Sequence, residues 1–347
     1  MYKELFENYD ALIVTSLSNR FYFTGFESSF GAVVLTENGK YLFTDFRYAV
    51  AAKSVSNDCE VAITDAEHLY GDIAKLCSER RFSSIGYEDE CVSVAEHRAM
   101  EKAFEEFELK PIGSVLTELR IVKTDDEISE IKAAQSIAES ALNKALTAVK
   151  VGMTERELDA ELTYQFLMHG ADGLAFDNIV AFGENSADCH HTPGNRKLAK
   201  GDIILLDIGA VKNGYRSDMT RTFCLGDPGS RVNDLYLLVL SAQQYVLKHL
   251  KAGVTGKEAD NMAREFFRAN GYDKEFGHSL GHGVGIDIHE LPVLALRNDL
   301  PLPENAVVTV EPGLYIEGFG GIRIEDMVVI KKDGIENLTN YGKTLII

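Results

Sequence analysis

The chain has 347 residues, 45% hydrophobic and 26% charged, which suits a globular protein of roughly two domains with a large core. Its formal net charge of −19 argues against nucleic acid and anionic membranes as partners, and no apolar run approaches the roughly 20 residues that span a bilayer. The opening MYKELFENYDALIVTSL lacks the pattern of a secretory signal, and five scattered cysteines without CxxC spacing read as reduced thiols, so the expected location is cytoplasmic.

Residues 10–50 read as short strands, ALIVT, RFYFTGF, GAVVLT and KYLFTDF, with Glu37-Asn38-Gly39-Lys40 turning the last two into a hairpin. Helical periodicity follows over 46–56, 66–80 and 93–107, with the strands VAIT and SSIGYE between. This region is mixed α/β and brings no ligand-type residues close together in sequence. A break comes at LRIVKTDDEISEIKAA, where Thr124 and Glu127 form a capping box. Ile128, Ile131, Ala134, Ala138, Ala141, Leu142 and Ala145 then share one helical face. The expected domains are 1–122 and 123–347.

The second region contains an internal repeat. KVGMTERELD (150–159) matches KAGVTGKEAD (251–260), each with a glycine and then a capping box, Thr154 with Glu157 and Thr255 with Glu258. DIILLDIG (202–209) matches AVVTVEPG (306–313), and RSDM (216–219) matches RIEDM (323–327). The expectation is two similar halves about a pseudo-twofold axis, each a helix pair followed by strands. Each half supplies an acid pair, Asp207 with Asp218 and Glu311 with Glu325.

Hairpin parity brings the first pair together. With Asn213-Gly214 at a two-residue tip, Lys212 faces Tyr215 and Asp207 faces Thr220. Asp218 shares its face with Thr220, so the aspartates are diagonal neighbours roughly 7–8 Å apart at the backbone. By the same alternation Arg323 and Glu325 share a face. Any one of these acids, taken alone, reads as a strand-edge residue or a partner of Arg216, Arg221 or Arg323. Together, and in repeat-related contexts, four converging carboxylates would repel one another unless a multivalent cation sat between them.

GHSLGHGVGIDIHE adds His278, His282 and His289 within twelve residues, with glycines at 277, 281, 283 and 285 permitting close backbone approach. His190 and His191 form a further pair in ENSADCHHTPG. Four carboxylates and the His282 imidazole form an oxygen-rich set unlike a structural zinc site. It suits two divalent ions about 3.5–4 Å apart, Mn2+ or Co2+ first, with Zn2+ or Fe2+ as alternatives. The other histidines could stabilise a tetrahedral oxyanion.

LLDIGAVKNGYRSDMTRTF, GHSLGHGVGIDIHE, TVEPGLYI and GIRIED together resemble the pita-bread metallopeptidases, the creatinase/aminopeptidase fold of methionine aminopeptidase, aminopeptidase P and prolidase. The resemblance covers the whole chain. It implies an α/β (α+β) protein with a smaller, creatinase-like mixed α/β N-terminal domain. A pita-bread catalytic domain with a pseudo-twofold repeat and a curved antiparallel sheet would follow. Its two-domain length is similar to that of the Xaa-Pro peptidases. The resemblance therefore implies a dinuclear metal-dependent exopeptidase that hydrolyses Xaa-Pro bonds through a metal-bridging hydroxide, an Xaa-Pro aminopeptidase first and an Xaa-Pro dipeptidase (prolidase) second.

Carried over by motif, Asp207 would chelate one metal, Asp218 and Glu325 would bridge both, and His282 and Glu311 would bind the other. Glu311 would also shuttle a proton to the leaving prolyl nitrogen. His190 and His289 would contact the scissile carbonyl, His278 would face the prolyl side, and Arg323 would support a bridging carboxylate and the substrate. His191 receives no role from the family and reads as structural. The substrate would be a peptide with proline at its second position, and the resemblance implies a homodimer; the TDFRYAV stretch could take part in it or could equally be an ordinary strand-to-helix corner. Where some prolidases place an arginine for a dipeptide's carboxylate, this chain has Val293, which tilts the reading toward longer peptides; Arg297 is the nearby substitute. A creatinase-like amidinohydrolase or a non-catalytic peptide-binding module of the same fold would have lost several of the five ligands, and all five are present.

Overall fold

The computed structural model describes residues 3–55 and 58–347, and the chain divides into two compact units, Met1–Leu119 and Arg120–Ile347. No described helix is long and apolar enough to cross a membrane.

The first unit is built on a six-stranded mixed sheet in the order Cys59–Ile63, Gly39–Thr44, Ala32–Thr36, Ala11–Val14, Ser84–Tyr87, Glu108–Pro111. The hairpin expected at Glu37-Asn38 is present, with Thr36 opposite Gly39. Alternation along Ala11–Val14 covers both sheet faces: Ala11 and Ile13 join the core with Ile73 and Met100, while Leu12 and Val14 join the one with Phe23 and Leu116.

One expected strand is a helix. RFYFTGF lies mostly in the helix Leu17–Thr24. Ser16 caps it by accepting from the Asn19 amide, and Gly25 closes it at φ 66°. The Arg20 guanidinium turns inward to the hydroxyl and carbonyl of Ser28, a contact made across a bend that strand alternation does not allow. The periodicity over 46–56 resolves into a short 3-10 turn, Phe46–Tyr48, and the helix Ala49–Val55; Ser56 lies outside the described residues, as do Met1 and Tyr2 at the chain's start.

The second unit opens on the helix Asp125–Leu146 behind the expected Thr124–Glu127 box, and all seven predicted face residues are buried. The repeat is plain in its helices. Glu155–Met168 and Gly256–Ala269 each span 14 residues and each begin at a reciprocal threonine–glutamate cap. Each half has its own core, one around Leu158, Phe166 and Leu206, the other around Val239, Phe267 and Val308. Every ladder between named strands in this unit is antiparallel, and they group into four sheets.

Three of the four acids sit at breaks between those sheets, while Asp207 lies within the strand Ile203–Ile208. Asn213 and Gly214 take φ of 48° and 81° at the hairpin tip, Lys212 faces Tyr215, and Asp207 faces Thr220 without a register shift. Asp218 falls in the gap between Tyr215–Arg216 and Met219–Cys224. In the second half one register runs from Val310 opposite Asp326 to Gly313 opposite Arg323, so Glu311 and Glu325 stand opposite each other at the interruption. At that interruption the Glu311 amide donates to the Leu280 carbonyl at 2.9 Å instead of across the ladder.

Candidate metal centre

All nine residues singled out from the sequence line one cavity of about 630 Å³ in the second unit: Asp207, Asp218, Glu311, Glu325, His190, His278, His282, His289 and Arg323. Asp218 and Glu325 are 4% and 1% exposed. The two halves are tied together at this point. The Glu325 amide donates to the Thr220 carbonyl at 3.1 Å, and the Thr220 hydroxyl donates to Glu325 Oε2 at 2.7 Å.

One ligand atom each from Asp218, His282 and Glu325 lie within 4.8 Å of one another. His282 Nε2 is 3.6 Å from Asp218 Oδ2 and 3.4 Å from Glu311 Oε1. Its Nδ1 is 3.1 Å from the Gly283 carbonyl, which assigns the ring proton to Nδ1 and leaves the Nε2 lone pair facing the acids. Burial lowers the His282 pKa to about 4, so the ring is neutral at pH 7. The Thr309 hydroxyl accepts from the His282 amide and donates to Glu311 Oε1, both at 3.1 Å, holding those two side chains in step. The close approach rests on Gly281, whose Cα abuts the Thr309 carbonyl too tightly for a side chain.

The electrostatics are those of a site short of positive charge. Burial, then Glu325, Asp207 and Glu311, raise Asp218 well above the carboxylate range. Burial, then Glu311 and Asp207, do the same to Glu325, and Glu311 is pushed up to about 8 by burial first. Asp207 Oδ1 is buried with no hydrogen-bond partner. The cation hydrogen-bonded to these acids among the described residues is Arg323, which donates from Nη2 to Asp207 Oδ2 at 2.6 Å, from Nε to the Thr220 hydroxyl at 2.9 Å, and from Nη1 to the Tyr315 hydroxyl at 2.6 Å. One guanidinium cannot neutralise four carboxylates. An orphaned carboxylate oxygen and a neutral imidazole lone pair aimed at two further acids fit a divalent cation.

The remaining histidines flank this cluster. His278 Nε2 lies 3.0 Å from the Tyr315 hydroxyl, and the His289 ring meets that of His282 edge to face with centroids 4.4 Å apart. His190 is exposed at the cavity wall, and His191 lines it beside Cys189. Three participants escaped the sequence reading, Thr309 beside His282 and Glu311 being one of them. Tyr315 links His278 to Arg323, although it sits inside the quoted TVEPGLYI, four residues after Glu311. Thr220 served there only as a register marker, yet its hydroxyl binds Glu325.

Residues 129–332 match the model of metallopeptidase family M24, and residues 6–122 match the Creatinase/Prolidase N-terminal domain. The chain belongs to metallopeptidase family M24. The X-Pro aminopeptidase of Thermotoga maritima superposes with a TM-score of 0.94 at 39% identity, covering 100% of both chains. The Xaa-Pro dipeptidase of Bacillus anthracis gives 0.93 at 36%, over 98% of this chain and 95% of that one. In sequence, the Xaa-Pro dipeptidase of Pyrococcus horikoshii is 34% identical over 97% of this chain and 94% of its own length. The second unit therefore carries the pita-bread fold of the M24 peptidases, and the chain is a metallopeptidase with an acid and histidine cluster fit for a divalent ion.

Proposed function

We propose that this M24 chain is a dinuclear metal-dependent exopeptidase cutting Xaa-Pro bonds, an Xaa-Pro aminopeptidase. The observation that carries the metal reading is the neutral His282, whose Nε2 faces the buried Asp218 and the half-buried Glu311. The proline preference is supported by likeness to Xaa-Pro peptidases along the whole chain. Asp207, Asp218, His282, Glu311 and Glu325 would hold the ions, Mn2+ or Co2+. When bound, the ions supply Lewis acidity toward the scissile carbonyl and an activated water. Glu311 would be the residue that accepts a proton from the attacking water and passes it to the leaving prolyl nitrogen. His190 and His289 donate to the carbonyl oxygen as it gains charge. His278, held by Tyr315, faces the prolyl ring, and Arg323 fixes Asp207.

Val293 on the cavity wall favours peptides longer than two residues. The dipeptidase reading has its own support, since Arg297 lines the same cavity and offers a cation for a dipeptide's carboxylate. The deciding assay compares Xaa-Pro dipeptides with Xaa-Pro-Yaa tripeptides in the presence of Mn2+, Co2+ or Zn2+. Tripeptide cleavage supports the aminopeptidase, cleavage of the dipeptide alone makes it a prolidase, and no metal-dependent cleavage of either sinks the proposal. His289→Ala is expected to keep its metal while kcat falls about 10²–10³-fold, the usual loss for one oxyanion donor. Unchanged kcat would remove His289 from that role. A cytoplasmic setting is supported by five free cysteines. A homodimer is proposed from the family resemblance alone, residues 6–122 being the region that matches the Creatinase/Prolidase N-terminal domain.

A further inference from the structure

His191, which the family pattern leaves without a role, makes the most specific contact of its loop. The Glu155 side chain is wholly buried at the start of the helix Glu155–Met168. It accepts from the Phe182 amide at 2.8 Å, and at 2.9 Å each from Asn185 Nδ2, the Gly194 amide and His191 Nε2. All four donors belong to the stretch 182–194 that carries His190. Burial alone would raise the Glu155 carboxyl, but these donors, His191 foremost, hold it below the ordinary carboxylate range.

The repeat shows that this carboxylate is not part of the helix cap. Thr154 and Glu157 complete the cap, as Thr255 and Glu258 do in the second half. Both helix starts seat a loop by backbone bonds, Arg156 N to Gly194 O at 3.1 Å and Lys257 N to Asn298 O at 2.8 Å. The counterpart of Glu155 is Gly256, pressed against the Val293 carbonyl with no room for a side chain. The first half thus adds a buried charge where the second half closes on backbone.

His190 needs such support. Its side chain makes no hydrogen bond among the described residues, and its amide donates to Asp188 Oδ1 at 3.1 Å. Its position is set by the backbone on either side, at the Asp188 turn and at His191. We propose that His191 is a positioning residue, holding His190 at the cavity through the buried carboxylate of Glu155. The inference rests on the reading of His190 as a contact of the scissile carbonyl.

The test measures kcat, KM and bound metal for His190→Ala, His191→Ala, His191→Gln and the double alanine variant, on the Xaa-Pro peptide the parent enzyme cleaves. His191→Ala is expected to lose roughly tenfold to a hundredfold in kcat, as a displaced catalytic group does, with KM and metal content held. His191→Gln should restore most of the rate, because its amide can donate to Glu155. The double variant should be no slower than His190→Ala, since both act through one group. Should His191→Ala fail to fold, His191→Asn replaces it; the shorter amide does not reach Glu155, and the same kcat loss is expected. Parental kcat in His191→Ala or His191→Asn, or additive losses in the double variant, overturns the inference alone. Parental kcat in His190→Ala overturns the reading on which it rests.

Discussion

Asp218→Ala is expected to lose bound metal and peptidase activity together. Asp218 sits at the ladder break of the first half, is nearly inaccessible, and presents an oxygen to both His282 and Glu325. Its removal takes away the ligand that ties the two halves' donors into one site. Metal catalysis contributes several kcal/mol of transition-state stabilisation, so the expected fall in kcat is at least about thousandfold. Elemental analysis of the purified variant beside a peptidase assay checks both losses. An active, metal-replete Asp218→Ala would refute the assignment. The acid also has a stability signature. Burial and neighbours of the same sign raise Asp218 well above the carboxylate range, so at neutral pH the metal-free fold must take up a proton there or bury a repelled charge; Asp218→Asn, which keeps the shape and needs neither, should melt above the metal-free parent.

That outcome was foreseeable from the sequence because parity is local information. A two-residue Asn213-Gly214 tip fixes every cross-strand pair back to Asp207 and Thr220, and the register found is the one expected. The Glu311 and Glu325 segments came from repeat matching and His282 from its histidine and glycine cluster, and all of them reach the same cavity. What escaped was set by contacts distant in the chain. The Thr220 hydroxyl meets Glu325, and Glu155 meets His191, across separations that no periodicity encodes. Tyr315 was hidden by its own strand, where an aromatic residue reads as packing until its hydroxyl is seen between His278 and Arg323. The helix Leu17–Thr24 was missed because its aromatics favour strand statistics, while the decisive signals, a serine cap and a left-handed glycine, flank the run.

The metal-free protein should lose stability as pH rises from about 6.5 to 8. Glu311 has a folded pKa of about 8 against an ordinary 4.5, and Asp218 and Glu325 move in the same direction. Within that interval the folded state holds protons that the unfolded state has released, so stability falls with rising pH. The buried histidines oppose this at lower pH. His278 and His282 are lowered to about 4 from 6.5, so between those values the unfolded state binds more protons and stability rises with pH. The two effects offset each other in part up to about 6.5, above which the histidines are neutral in both states and the carboxyls act alone. Thermal melts in chelator across this range check the slope, and a metal-free melting temperature that climbs from 6.5 to 8 would contradict it. Divalent ions reverse the trend, because each ion must displace the protons that the crowded acids hold in its absence. Titration calorimetry at pH 7 in buffers of different ionisation enthalpy should therefore report proton release on Mn2+ binding, and an affinity that tightens as pH rises. Metal bound with no proton release would mean that the ion occupies acids already ionised, and that the mutual repulsion argued for Asp218, Glu311 and Glu325 is not what the site stores.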